Sequence, residues 1–367
     1  MAEESPTWPS LFSVLTNPET ELSPDLVAWA MTEILQERAT EAQTAALMVG
    51  LKLRGETAEQ VSALASVMLD QANVVPPTHG FLVVLDIVGT GGDSSHSVNI
   101  STMAAIVAAA CGTPVIKHGN RAVSSSTGAA DLLEELGVVI DLDARSVAEV
   151  AGESGIGFCF APRHHPAMRF AAPARKQIGI PTVFNILGPL TNPAMAHAGL
   201  IGCANISMAP IMAEVLRARG VRALVVRGED GLDEISLSAP TRIWDATSTE
   251  VIESVITPAD VGIAEFDSAL LRGGDRVRNA ELTRKVLGGL PAGADSERVD
   301  AIRLAVAVNA AAALVAARSV GAEHADSRPV PERIRDFIPA AHAVLLDGTA
   351  WDVLTRWAEI SQRVART

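Results

Sequence analysis

Four stretches of this sequence combine residue types that can do chemistry. The first, GTGGD at residues 89–93, ends an apolar run and is followed by Ser97, Asn99, Ile100, Ser101 and Thr102. Glycines permit positive φ and bring backbone N–H groups close to a ligand. Amides and hydroxyls at the start of the next helix add donors where the helix dipole favours an anion. The stretch suits phosphate, yet no lysine follows the glycines as in a P-loop, and the spacing differs from GxGxxG. Taken alone, it fits an ordinary strand-to-helix turn equally well.

The second stretch, IKHGNRAVSSSTGAAD at residues 116–131, supplies the missing cations. Lys117, His118 and Arg121 are expected just after a strand, surrounded by Asn120, Ser124, Ser125 and Ser126. Lysine gives a compact charge for phosphate, and the serines give further donors. The third, GEDGLDEIS at residues 228–236, places Asp233 beside Glu234 after a glycine turn. Paired carboxylates can hold Mg²⁺, which takes one or two of them plus phosphates and water. The alternative is an exposed acidic loop. The fourth runs over residues 160–193 and holds Arg163, His164, His165, Arg169, Arg175 and Lys176 near apolar neighbours. An arginine there can receive a carboxylate bidentately. The two histidines lack a third metal ligand in register and read as structural or supporting groups.

These stretches need a frame. Residues 1–73 read as helical, with Ser23-Pro24, Thr40 and the pair Thr57 and Gln60 as helix starts and Gly55 as a stop. The segment VVPPTHG, residues 74–80, reads as a linker. Beyond it, apolar strands alternate with helices: FLVVLDIVG, PVIKHG, GFCFAP, AGLIGCA and RALVVRG are the strands. Continuous apolar strands between helices predict a mainly parallel sheet covered on both faces. Its carboxyl ends share one edge, where such sheets bind ligands, so the phosphate-suited loops should open together. Further strand is expected within 242–257, and mainly helix over 276–367. The expected class is therefore α/β. A small helical domain, 1–75 and joined by the helical segment 167–180, accompanies a larger α/β domain over 81–367.

Composition narrows the function. The chain has 367 residues, no tyrosine and a net charge of −14, which argues against non-specific nucleic-acid binding. Cys111, Cys159 and Cys203 are far apart in apolar surroundings and read as reduced thiols. The acidic start lacks a signal-peptide pattern, and the apolar stretch Met103 to Ile116 is too short to span a bilayer. A cytoplasmic protein without membrane attachment is expected.

In combination, GTGGD with NIST, KHGNR with the serine run, HPAMRF…ARKQIG…FNILGPLTNP and GLDE are specific, although each alone is not. In this order and spacing they resemble the anthranilate phosphoribosyltransferases, over nearly the whole chain. The resemblance implies a nucleoside phosphorylase/phosphoribosyltransferase-like fold, a homodimer and Mg²⁺. It implies transfer of phosphoribose from phosphoribosyl pyrophosphate to anthranilate, in tryptophan biosynthesis. Pyrimidine nucleoside phosphorylases share a similar glycine loop and lysine-serine region, and remain the alternative beside a non-catalytic phosphometabolite-binding relative.

Carried onto this sequence, the resemblance assigns the donor to Gly89, Gly92, Asp93, Ser97, Asn99, Ile100, Ser101 and Thr102. From the second stretch it adds Lys117, His118, Gly119, Asn120, Arg121, Ser124, Ser125 and Ala129. Anthranilate falls to Gly89, Asn120, His165, Pro166 and Arg175, and the metal to Ser101, Asp233 and Glu234. Lys117 and Arg175 are the expected catalytic residues. Ala129 stands where serine or glycine is common in the family, so no side-chain hydrogen bond to phosphate is available there.

Overall fold

The computed structural model describes residues 5–122, 126–289, 295–322, 324 and 326–367. The chain opens with helices α1 (Trp8–Thr16), α2 (Pro24–Leu35), α3 (Glu41–Arg54) and α4 (Ala58–Asp70). Each start has a chemical cause. The side chains of Thr7, Ser23, Thr40 and Thr57 accept an N–H of the first turn, and Thr40 and Thr57 form reciprocal boxes with Gln43 and Gln60. Such a cap is worth about 1 kcal/mol. Gly55 ends α3 at a φ of 83°.

The α/β part runs β1 (Leu85–Gly89), α5 (Ile100–Ala110), β2 (Val115–Gly119), α6 (Ala129–Glu135), α7 (Ala144–Ser154) and β3 (Ile156–Phe160). Three short helices follow: α8 (Ala161–His164), α9 (Ala172–Ile178) and α10 (Leu187–Leu190). Then come β4 (Ala198–Gly202), α11 (Ala209–Ala218), β5 (Arg222–Gly228), β6 (Thr241–Ala246) and β7 (Ile252–Ile256). Helices α12 (Arg276–Leu287), α13 (Ser296–Arg318), α14 (Val330–Leu346) and α15 (Thr349–Val364) complete the chain.

Among the described residues the strands form one sheet in the order β3-β2-β1-β4-β5-β6-β7. The first five in that order are mutually parallel, while β6 and β7 pair antiparallel at one edge. The strand expected over residues 242–257 is thus this terminal hairpin. β1 is shorter than its apolar run suggests. Residues 81–84 precede the ladder, and Leu82 among them is 91% exposed. Chain order reverses between β1 and β4, the switch point at which open α/β sheets bind ligands.

Alternation along the strands divides the interior. Leu85, Ile87, Leu200 and Leu224 join a core with α5, α7 and α12–α15. Val88, Ile201, Val225 and Trp244 join a second core with α1–α4 and α11. α9 packs on α3, and α4 packs on α10 and α11. Helix α13 is long and apolar enough to cross a bilayer, a feature the sequence reading passed over, but 89% of its apolar window is buried inside the protein.

Candidate active site

The acids of the GLDE loop lie across the carboxyl ends of β1 and β4. Gly89 and Gly202 are register partners there. A Cβ on Gly202 would stand 1.6 Å from the Asp233 carbonyl oxygen, and one on Gly89 2.3 Å from Asp233 Oδ2. Only glycine at both strand ends lets the loop settle this close. The Gly91 N–H donates to Asp233 Oδ2 at 2.7 Å, and the Ser101 N–H donates to Glu234 Oε1 at 3.1 Å. Glu234 therefore satisfies an N–H at the start of α5, where a negative charge is favoured. Gly91 and Gly92 adopt φ of 64° and 82°, as the glycine spacing requires.

The acid pair is electrostatically loaded. Burial, then the nearby Asp93, pushes Asp233 up to about 7. Burial, Asp233 and Asp93 together hold Glu234 well above the ordinary glutamate range. Among the described residues Glu234 Oε2 is buried without a hydrogen-bond partner. A buried, unpartnered carboxylate oxygen beside a second acid is a costly arrangement that a hard cation would relieve. Among the described residues no three His, Cys, Asp or Glu side chains form a closed metal cage. The donor set instead suits a cation that completes its shell with ligand oxygens and water, as Mg²⁺ does.

Lys117 sits within β2 rather than after it, and its side chain is 1% exposed. Its ammonium donates to the Ile87 carbonyl and lies 3.4 Å from Ser101 Oγ. Burial lowers its pKa, against the attraction of Asp86, Glu234 and Asp233. The three loops singled out in the sequence thus meet: Gly91 with Asp233, Ser101 with Glu234, and Lys117 with Ser101.

Other expected residues fall differently. Arg121 does not offer a spare cation, because Asp131 (3.1 Å) and Glu134 (2.9 Å) of α6 take its guanidinium. The Gly91 N–H is likewise already engaged by Asp233. Ile100 is fully buried, which leaves its backbone as its polar contribution, and the Thr102 hydroxyl is buried without a partner among the described residues. Asn120 is exposed beside α6, its carbonyl accepting from Ala130 N at 3.2 Å just past Ala129. Ser124 and Ser125 lie outside the described residues.

His118, next to Lys117 on the strand, turns to the opposite face. Its Nδ1 meets the Gly188 carbonyl at 2.9 Å, and its ring lies 5.1 Å from that of His165. His165 Nε2 meets the Thr191 carbonyl at 2.8 Å. Burial pulls the pKa of His118 down to about 3 and that of His165 to about 4, so both rings are neutral. Asp86 shares this face. Burial raises it to about 6 although Lys117 attracts it, and it accepts the His118 N–H at 3.1 Å. Arg175 on α9 is half-buried, and burial lowers its pKa. No hydrogen bond or ion pair engages its guanidinium among the described residues. Pro166 lines a cavity of about 600 Å³ with Asn73, Arg145, Arg163 and His164. That cavity lies beside the α8 turn and takes no lining from the acid loop.

The sequence reading missed two asparagines. Asn279 of α12 donates to Asn99 Oδ1 at 3.0 Å and accepts the Gly274 N–H at 2.7 Å, while Asn99 donates to the Thr127 carbonyl at 2.9 Å. This chain ties the glycine loop to the serine loop. Asn309, in the middle of α13, bonds both backbone groups of Ile235 beside the acids. For Asn309 the available signal was a polar amide inside an apolar helical pattern, which demands a buried partner, whereas Asn279 lies in a polar helix that gives no such signal.

A helical bundle set beside an α/β domain, with acids and glycines at the sheet switch point, defines a class of transferase. The chain matches the family models described as "Glycosyl transferase family, helical bundle domain" over residues 13–72 and "Glycosyl transferase family, a/b domain" over residues 82–350. Within that class the chain belongs to the anthranilate phosphoribosyltransferase family. It is 49% identical to the anthranilate phosphoribosyltransferase of Acidothermus cellulolyticus, covering 99% of this chain and 97% of that one. The crystal structure of the Thermus thermophilus enzyme superposes with a TM-score of 0.84 at 36% identity, covering 96% of this chain and 99% of the other. The Saccharomyces cerevisiae enzyme, solved in complex with PRPP and Mg, superposes with a TM-score of 0.82 at 26% identity, covering 97% and 98%. These likenesses favour the phosphoribosyltransferase reading over the nucleoside phosphorylase alternative.

Proposed function

We propose that this protein transfers the phosphoribosyl group of phosphoribosyl pyrophosphate to the amino group of anthranilate in tryptophan biosynthesis. The bond from the ribose anomeric carbon to pyrophosphate oxygen breaks, a carbon–nitrogen bond forms, and the amine releases a proton. The observation that carries this reading is the buried pair Asp233 and Glu234, pinned between the glycine loop and the start of α5. Asp233, Glu234 and the Ser101 hydroxyl would hold Mg²⁺, which when bound supplies positive charge opposite the departing pyrophosphate.

The remaining work falls to this chain's own groups. Lys117 adds fixed positive charge beneath the start of α5, where leaving-group charge develops. Gly92, Asn99 and the first turn of α5 orient the donor, and Asn120 contributes at the edge of the serine loop. Arg175 receives the anthranilate carboxylate, and being unpaired it needs no prior bond broken. The neutral rings of His118 and His165 line the acceptor's side without competing for that carboxylate. Anthranilate's aromatic amine is neutral near pH 7, so positioning and charge stabilisation suffice without a strong base.

The domain division at residues 1–75 and 81–367, a homodimer and a cytoplasmic location belong to the same reading. Separate family models for the two parts, and the prolines between them, support the division. The function is tested by the fall of anthranilate fluorescence on adding phosphoribosyl pyrophosphate and Mg²⁺. The fall should stop when a chelator is added. No fall, with phosphorolysis of thymidine instead, would overturn the assignment.

A further inference from the structure

We propose that Asn309 is a positioning residue for the acid pair, setting the affinity of the site for divalent cation from the centre of α13. The inference rests on the metal-binding reading of Asp233 and Glu234. Asn309 is fully buried, and its immediate neighbours in α13, Val306 to Val308 and Ala310 to Ala313, are apolar and buried as well. A polar amide is tolerated there only if fully bonded. It is: Oδ1 accepts the Ile235 N–H at 2.9 Å, while Nδ2 donates to the Ile235 carbonyl at 3.1 Å and to the Ala305 carbonyl at 2.9 Å. The reversed amide would set donor against donor and acceptor against acceptor, so one orientation is fixed.

The location gives this clamp its consequence. Ile235 follows Glu234 directly, and its own side chain is buried in the main core. On the other side the Asp233 carbonyl rests on Gly202, with no room for a Cβ between them. The acid loop is thus held by strand ends beneath it and by one helix side chain just past it. Hydrogen bonds to both backbone groups of a single residue restrict rotation of the chain there, and so the direction in which Glu234 leaves it. An alanine at 309 would leave the Ile235 N–H and carbonyl buried and unpaired, so the loop would shift to find partners. Cation affinity, which depends on two carboxylates held ready, would fall with that shift.

The test compares wild type, Asn309→Ala, Asn309→Asp and Val315→Ala, the last a cavity control elsewhere in α13. Mg²⁺ dependence of turnover, Mn²⁺ binding followed by loss of the free-ion EPR signal, and amide hydrogen exchange over residues 233–236 are measured on the full chain. Asn309→Ala should raise the Mg²⁺ concentration for half-maximal turnover about tenfold, roughly the loss of one to two neutral hydrogen bonds' worth of preorganisation. kcat at saturating Mg²⁺ should recover most of its value, and exchange should quicken over 233–236. Val315→Ala should lower Tm without moving the Mg²⁺ midpoint. If Asn309→Ala fails to fold, Asn309→Asp, which keeps the acceptor for the Ile235 N–H, is read by the same criterion. A folded variant with an unchanged Mg²⁺ midpoint overturns the proposal. Should wild type fail to consume anthranilate, the proposed function fails instead. The clamp then stands or falls on whether Asn309→Ala weakens Mn²⁺ binding and deprotects 233–236.

Discussion

Asp233 and Glu234 hold their protons more tightly in the folded chain than in the unfolded one, because burial, then the nearby Asp93 and, for Glu234, Asp233 disfavour their charges. Their contribution to metal-free stability is therefore fully present below the ordinary carboxylate range of about 4; the Asp233 part is lost as pH rises through about 7, and the Glu234 part is lost only well above the ordinary glutamate range. A cation competes with those protons, so Mg²⁺ should raise Tm more at about pH 8 than at about pH 5.5. Asp233→Asn with Glu234→Gln should raise the metal-free Tm at the higher pH, abolish the Mg²⁺ response and cut turnover by about a hundredfold or more. A Mg²⁺ shift of equal size in the double variant, by scanning fluorimetry, would count against the pair as ligands. Arg175 gives the complementary case. Its guanidinium is unpaired among the described residues, so Arg175→Ala should leave stability nearly unchanged while raising the anthranilate KM by about tenfold or more. The donor KM should stay within about twofold; equal losses for both substrates would reject the assignment.

Asn279 shows what an element contributes. α12 lies outside every stretch the sequence marked as chemical, yet its amide joins Asn99 to Gly274 and so braces the start of α5. Asn279→Ala should raise the donor KM about tenfold with little change for anthranilate, and steady-state kinetics varying each substrate will show which moves. Local signals explain why most elements were legible and this brace was not. Thr40, Thr57, Ser23 and Gly55 act on their own helix ends, so four-residue patterns revealed them. Strand β2 was legible in PVIKHG, but the burial of Lys117 was not, because a lysine reads as solvent-facing until Ile87 and Ser101 are seen to receive it. Arg121 read as a ligand cation because the pairing with Glu134 depends on how α6 folds back. Asn279 and Asn309 bond to partners 180 and 74 residues away, a separation no local pattern encodes.

The sheet makes one body of parts that the chain presents in succession. One face of β1, β4, β5 and β6 carries Val88, Ile201, Val225 and Trp244, and these share a core with Leu11, Val27, Leu47 and Val61 of the opening helices. α9, which carries Arg175, packs on α3, while the acid loop is braced from α13 on the other face. In the proposed reaction the acceptor is thus approached from the helical side and the donor from the sheet edge, and a change in how the helices seat would misplace one against the other. Because the helices and the sheet face bury the same apolar surface, neither has a complete core alone. Heating should therefore give a single calorimetric transition with matching calorimetric and van't Hoff enthalpies. A chain truncated to residues 76–367 should lose that transition, because Val88, Val225 and Trp244 would lie partly bare and favour association. Two well-separated transitions in the intact protein, one of them surviving in the truncated chain, would show that the helices fold and seat independently.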